Sequence, residues 1–193
     1  MQLKFLRVML AMYQRVGVVV ALSGAACASP HILSGFGSMQ GEANGEVSGE
    51  RDFEHDGVDI EVDESKDQAI ASADGLVTAV TTSDSWQGIT VVVLHDRYGI
   101  TSDTQGGHYA TLYGHLSAAT VSVGQRVARG ANIGHVGMFV QSGGIRHIHW
   151  GLCDQSCEWR GEKRDPLKFT AGCFDKGRAY ESSSLVLTYP VEC

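Results

Sequence analysis

Ile145-Arg146-His147-Ile148-His149-Trp150-Gly151-Leu152 is the stretch from which the rest of the chain can be read. A short apolar run entered from glycines reads as a strand, and side chains two apart on a strand leave the same face. His147 and His149 then share one face, while Ile148, Trp150 and Leu152 point the other way, into a core. Tyr109-Ala110-Thr111-Leu112-Tyr113-Gly114-His115-Leu116 has the same character, with His115 near its end and Tyr113 expected on the His115 face. Upstream, His55-Asp56-Gly57-Val58-Asp59-Ile60 adds a third imidazole region and a hard carboxylate. Imidazole with one carboxylate suits a single zinc ion, and a site short of four protein ligands keeps a position open for water, which separates a catalytic from a structural zinc.

Around these motifs the pattern from Ala69 onward is one of short β-rich runs between turn residues, at 76–82, 90–95, 109–116, 119–123 and 145–152. No segment offers a long amphipathic helix, and the 24 glycines favour many tight turns. Residues 29–53 are rich in Gly, Ser and Glu apart from an apolar patch at 32–36, which predicts a first strand followed by a mobile polar loop. The expected fold is all-β, a compact antiparallel sheet or sandwich.

At the N-terminus, Lys4, Arg7 and Arg15 precede an apolar stretch at 16–26, no acid occurs before Glu42, and Ala26-Cys27-Ala28 looks like a leader cleavage site. Residues 1–28 therefore read as a signal peptide, whose apolar run at 16–26 is too short for a comfortable membrane span. The mature chain, 29–193, reads as one domain without a transmembrane span, exported to a periplasm or secreted. Gly24-Ala25-Ala26-Cys27 also resembles a lipobox lacking its usual Leu, so a lipid anchor at Cys27 is the alternative. Losing the leader removes three basic groups and no acid and takes the net charge from −7 to −10, which argues against nucleic acid as a partner. Cys153, Cys157, Cys173 and Cys193 remain, and an even number in an exported chain reads as two disulfides. Pairing of Cys153 with Cys157 and of Cys173 with Cys193 is the most local of three connectivities, the second tethering the tail. A four-cysteine structural zinc is the rival reading.

In this order the motifs resemble the lysostaphin-type (LytM-like) zinc metallopeptidases, whose signature reads His-x-Gly-x-Asp-Ile, then Tyr-x-His-Leu, then His-x-His. The likeness extends to Ser34-Gly35-Phe36-Gly37, to Ala73-Asp74-Gly75-Leu76-Val77, to the Gly-punctuated segment from Val123 through Gly130 and Gly134, and to Asp165-Pro166-Leu167. It covers roughly 32–169, which implies a domain core there followed by a tail at 170–193. The resemblance implies a two-sheet β-sandwich with a zinc groove, one zinc per chain held by His55, Asp59 and His149, and His115 and His147 as unligated catalytic histidines. It implies an endopeptidase that hydrolyses the peptide cross-links of bacterial peptidoglycan. Three protein ligands leave room for a water whose pKa zinc lowers to about 7, and two histidines beside it can take its proton and stabilise the oxyanion. Two alternatives stand beside this: a non-catalytic relative that regulates other wall hydrolases, and a protease of secreted Gly-rich proteins.

The chain departs from the family pattern in three places. Ser38, Met39 and Gln40 stand where the family often has Arg, Trp150-Gly151 stand where it usually has Phe-Glu, and 101–107 look like a polar insertion. Outside the motifs, His95 reads as a structural strand-end residue, His108 as facing away from the site, His135 as a turn or surface residue, and His31, near the mature terminus, carries no signal of a partner. Trp150 reads as core. Trp86, in a polar turn, is a candidate stacking surface, and Tyr109 and Tyr113 read as packing before substrate contact.

Overall fold

The computed structural model describes residues 28–43, 46–83, 87–95, 108–139, 144–154, 157 and 162–193. The leader through Cys27, Trp86 and the 101–107 insertion lie outside the described residues. Among the described residues twelve strands run in chain order: β1 (Ile32–Ser34), β2 (Gln40–Ala43), β3 (Glu46–Glu50), β4 (Val58–Glu61), β5 (Gln68–Ile70), β6 (Gly75–Ser83), β7 (Gly88–His95), β8 (Tyr109–Ala119), β9 (Arg126–Val127), β10 (Asn132–Val136), β11 (His147–Asp154) and β12 (Lys163–Arg164). Helical structure among the described residues is confined to the 3₁₀ turns Glu64–Lys66 and Pro166–Phe169. No helix there is long and apolar enough to cross a membrane. The fold is all-β, and every pair of strands among the described residues is antiparallel.

The main ladder runs β1-β4-β11-β8-β7-β6-β9, with β10 bridging β8 and β5. β11 lies inside it, hydrogen-bonded along both edges to β4 and β8, and its first seven residues, from both faces, are buried. Burial on both faces is what lets one strand carry a polar stripe, His147 and His149, opposite an apolar one, Ile148, Trp150 and Leu152. The apolar stripe packs into a single core with Val58, Ile60, Val77, Val91, Leu116, Ile133 and Val136. Because β10 and β5 contribute to that core, the two layers expected of a sandwich enclose it together. They are hydrogen-bonded to one another through β8.

β8 makes that connection by bending. Its residues up to Gly114 pair with β11, and Leu116, Ala118 and Ala119 pair with β10. Between the two stretches stands His115, with φ at +61°. Strands that pass from one layer to another need such a bend, and histidine is among the few non-glycine residues enriched in the left-handed region.

Three expectations are corrected. The polar stretch at 29–53 is not a loop throughout: β2 and β3 form a separate two-stranded hairpin with Gln40 opposite Glu50. The run at 119–123 is no strand of its own; Ala119 closes β8, and the next strands are β9 and β10. Tyr113 does not share the His115 face. It pairs directly with Trp150 on the core face, and its hydroxyl accepts from the Ser72 N–H and from the Thr111 hydroxyl, both at 2.8 Å. Strict alternation would have sent His115 to the face opposite Gly114, and the left-handed residue breaks that alternation.

The tail is tied down as the cysteine spacing suggests. Cys153 pairs with Cys157 and Cys173 with Cys193, which leaves no four-cysteine metal site. Leu185, Leu187 and Val191 of the tail enter the core, and the buried Arg129 guanidinium donates to the Ser72 carbonyl and, at 2.6 Å, to that of Val186.

Candidate metal centre

The β4–β11 register places Asp59 directly opposite His149, and residues opposite one another in an antiparallel pair project from the same face. His55 arrives from the loop before β4. That loop is pinned by hydrogen bonds from Gly37 N–H to the His55 carbonyl at 2.8 Å and from His55 N–H to the Ser38 carbonyl at 3.1 Å. His55 Nε2 lies 3.0 Å from His149 Nδ1. Asp59 Oδ1 lies 3.1 Å from each of those nitrogens. All three residues are buried.

These three atoms form a nearly equilateral triangle. Ligands about 2.0–2.1 Å from a tetrahedral zinc sit roughly 3.3–3.4 Å apart, so each edge is within about 0.4 Å of that spacing. The donor set, two imidazoles and a carboxylate, is also one that zinc accepts. His55, Asp59 and His149 thus fit a metal ion as a group. Gly57 makes the closure possible. A Cβ there would stand 2.6 Å from His149 Nε2 and 2.7 Å from its Cε1, so the imidazole occupies the space that any other residue would fill.

The outer atoms of the triangle are held as well. His55 Nδ1 donates to the Gly35 carbonyl at 3.1 Å, with Ser34 Oγ at 3.3 Å, and this directs the Nε2 lone pair inward. His149 Nε2 faces Asp56 Oδ1 at 3.4 Å, and Asp56 Oδ2 faces Lys163 Nζ at 3.6 Å. Asp59 Oδ2 accepts from Arg51 Nη2 at 3.1 Å. Partners of this kind fix tautomer and orientation in metal sites.

His115 and His147 stand beside the triangle. Their ring centroids are 4.8 Å apart, and the His115 ring is 6.1 Å from that of His149. His147 Nδ1 donates to the Ile145 carbonyl at 3.1 Å, and His115 Nδ1 makes a long 3.4 Å contact with the Gln87 carbonyl. Each ring therefore keeps Nε2 as its unprotonated nitrogen. Burial, then the neighbouring His147 and His149 charges, push the His115 pKa down to about 4. Burial lowers that of His147 too. Burial alone would raise Asp59, but the hydrogen bonds from His149 and His55 outweigh it and hold the carboxyl well below the usual range. At neutral pH the site contains an ionised carboxylate and two uncharged histidines next to it.

All five site residues named from the sequence come together here. The remaining histidines lie elsewhere. His95 is buried and bonded to the Asp74 carbonyl at 2.8 Å and to Thr111 Oγ1 at 2.9 Å, a structural strand-end residue. His135, on β10, pairs with Asp67, which precedes β5. His31 does have a partner, Glu61 at 2.8 Å on the surface. His108 is exposed at the head of β8. Trp150 is wholly buried. Arg51, Asp56, Ser34 and Lys163 were not singled out by the sequence. Asp56 had a signal, an acid adjoining a candidate ligand; the others had none in local spacing.

Residues 53–166, more than half of the chain, match the model of Peptidase family M23. The chain belongs to peptidase family M23. No protein of curated function matches it at a significant level, but 30 chains of known structure do. The catalytic domain of lysostaphin, an antimicrobial peptidase from Staphylococcus simulans, is 24% identical with a TM-score of 0.52, covering 72% of this chain and 91% of that one. The match to whole lysostaphin has a TM-score of 0.54 at the same identity and covers 72% of this chain but only 49% of the longer protein. A chain of the SpoIIQ-SpoIIIAH pore-forming complex is 21% identical with a TM-score of 0.51, covering 73% of this chain and 84% of that one. At such identities the likeness is one of fold, and this M23 fold is found both in a named peptidase and in a component of a pore.

Proposed function

We propose that this chain is an exported zinc endopeptidase that hydrolyses the peptide cross-links of bacterial peptidoglycan. The observation that carries this reading is the triangle of His55 Nε2, Asp59 Oδ1 and His149 Nδ1, with edges of 3.0–3.1 Å, flanked by two histidines that are not part of it. Zinc, when bound, supplies a Lewis acid for the scissile carbonyl and makes a coordinated water more acidic.

The remaining chemistry belongs to the chain. His115 and His147, uncharged at neutral pH, each offer Nε2 as an acceptor for the proton of the attacking water. Once protonated, either becomes a donor to the oxyanion or to the leaving amine. Groups in such roles contribute about 10²–10⁴-fold to rate. Membership of a peptidase family supports peptide-bond hydrolysis, and the two disulfides fit an oxidising compartment. The peptidoglycan substrate rests on the motif resemblance.

A pore component with the same fold makes a non-catalytic role the competing reading, and metal content separates the two. The test is digestion of purified wall sacculi by the chain, with the released fragments identified by mass spectrometry and zinc measured on the same sample. His55→Ala should abolish metal and activity together. His147→Ala and His115→Asn should keep the metal and lose turnover, asparagine being chosen because it tolerates the left-handed backbone at 115. Stoichiometric zinc in His55→Ala, or near-normal turnover in both histidine variants, would refute the assignment. Zinc-loaded chain that releases no wall peptide but cleaves Gly-rich proteins would move the substrate to the latter.

A further inference from the structure

Arg51, one residue past β3, reaches back over the site. Its Nη2 donates to Asp59 Oδ2 at 3.1 Å, and its Nη1 donates to Ser34 Oγ at 2.7 Å and to the Gln40 carbonyl at 3.0 Å. Its own N–H is fixed on the Met39 carbonyl at 2.7 Å. Ser34 Oγ also lies 3.3 Å from His55 Nδ1. One guanidinium thus holds the outer oxygen of Asp59 directly and reaches the outer nitrogen of His55 through Ser34, and its side chain is only 23% exposed.

A carboxylate has two oxygens, and which of them meet a metal decides how many positions remain for anything else. Asp59 Oδ1 faces the two histidine nitrogens, while Oδ2 is turned outward onto Arg51. A guanidinium is suited to this because its planar fork presents donors in fixed directions, one to Asp59 and another to Ser34, where an ammonium offers a single point charge. We infer that Arg51 is a positioning residue that holds Asp59 as a one-oxygen ligand and so keeps a coordination position free for water. This rests on the reading of His55, Asp59 and His149 as metal ligands.

The experiment uses the full chain and the variants Arg51→Ala and Arg51→Lys. Zinc affinity is measured by competition with a chromogenic chelator, and the visible spectrum of the cobalt(II)-loaded protein reports coordination number. Arg51→Ala should bind zinc about 10–100-fold more weakly, the usual cost of losing such a partner. Its cobalt spectrum should lose intensity as the second Asp59 oxygen closes on the metal and four-coordination becomes five. Arg51→Lys should recover part of the affinity and part of the spectrum. A cobalt spectrum in Arg51→Ala identical to that of the unaltered chain overturns the inference, whatever the affinity does. Should Arg51→Ala fail to fold by circular dichroism, Arg51→Lys decides, and a lysine variant like the unaltered chain in both readouts overturns it. If the unaltered chain itself takes up no zinc, the ligand reading falls; if it does and only the Arg51 variants match it, the role of Arg51 alone falls.

Discussion

Gly57→Ala tests the geometry of the site with one methyl group. Gly57 is not among the glycines with positive φ, so alanine meets no backbone penalty there, and the whole effect comes from Cβ. The new carbon would stand 2.6 Å from His149 Nε2, 2.7 Å from Cε1 and 2.8 Å from the Trp150 carbonyl, against about 3.5–4.0 Å for an unstrained contact. The carbonyl belongs to β11, which is paired on both sides, so the strand is poorly placed to retreat. The imidazole has to give by about 1 Å, and it pivots over Gly114, which lies so close that a Cβ there would stand 3.3 Å from His149 Cβ. Its Nδ1, one corner of the triangle, moves with it. Overpacking of this kind costs about 1–3 kcal/mol. Expressed against metal binding, that is roughly 5- to 150-fold in affinity. Chelator competition on the purified variant reads the affinity, and melting with and without zinc separates a loss of metal from a loss of fold. Zinc binding as tight as in the unaltered chain would show that His149 Nδ1 is not a ligand, or that the ring has room the structure does not give it.

The lowered pKa of His115 makes the metal-free protein acid-sensitive: between about 4, its folded value, and about 6.5, its unfolded one, the unfolded chain binds the extra proton, so stability falls as pH falls through that window. Melting temperature against pH should show this slope, and His115→Asn should flatten it; a slope unchanged in the variant would assign the effect elsewhere. Replacing Cys173 and Cys193 by Ser opens a loop of sequence separation 20, which should cost about 3 kcal/mol in denaturant unfolding, whereas loss of less than 1 kcal/mol would mean the tail is held by packing alone. A strong chelator should abolish activity and zinc in slight excess should restore it, the disulfides keeping the metal-free fold; activity persisting in verified metal-free protein would remove metal from the mechanism.

What the sequence made legible follows regular geometry. His147 and His149 share a face because β11 is a straight strand paired on both sides, and Asp59 joins them because β4 keeps register with it. The disulfides followed from spacing and compartment. The side taken by His115 was not legible, since it depends on one left-handed residue, and Tyr113 was misplaced by the same regular alternation that placed His147. The β2–β3 hairpin escaped notice because Gln, Gly, Glu and Ser are weak strand formers. β10 escaped because Asn132, Gly134 and His135 interrupt its apolar character. Arg51 could not be found locally at all: it meets Ser34 and Asp59 only once the hairpin has brought Gln40 opposite Glu50.

The bend at His115 also limits how this chain can change over time. Most side chains lose about 1–2 kcal/mol in a left-handed conformation, and β-branched ones fit it worst. A chain that lost His115 would therefore keep its architecture most easily with asparagine or glycine in its place, whereas valine or isoleucine would strain the turn that joins the two layers. The backbone angle at 115 restricts side chains independently of the chemistry proposed for the imidazole, so the two can be lost separately only along a narrow set of substitutions.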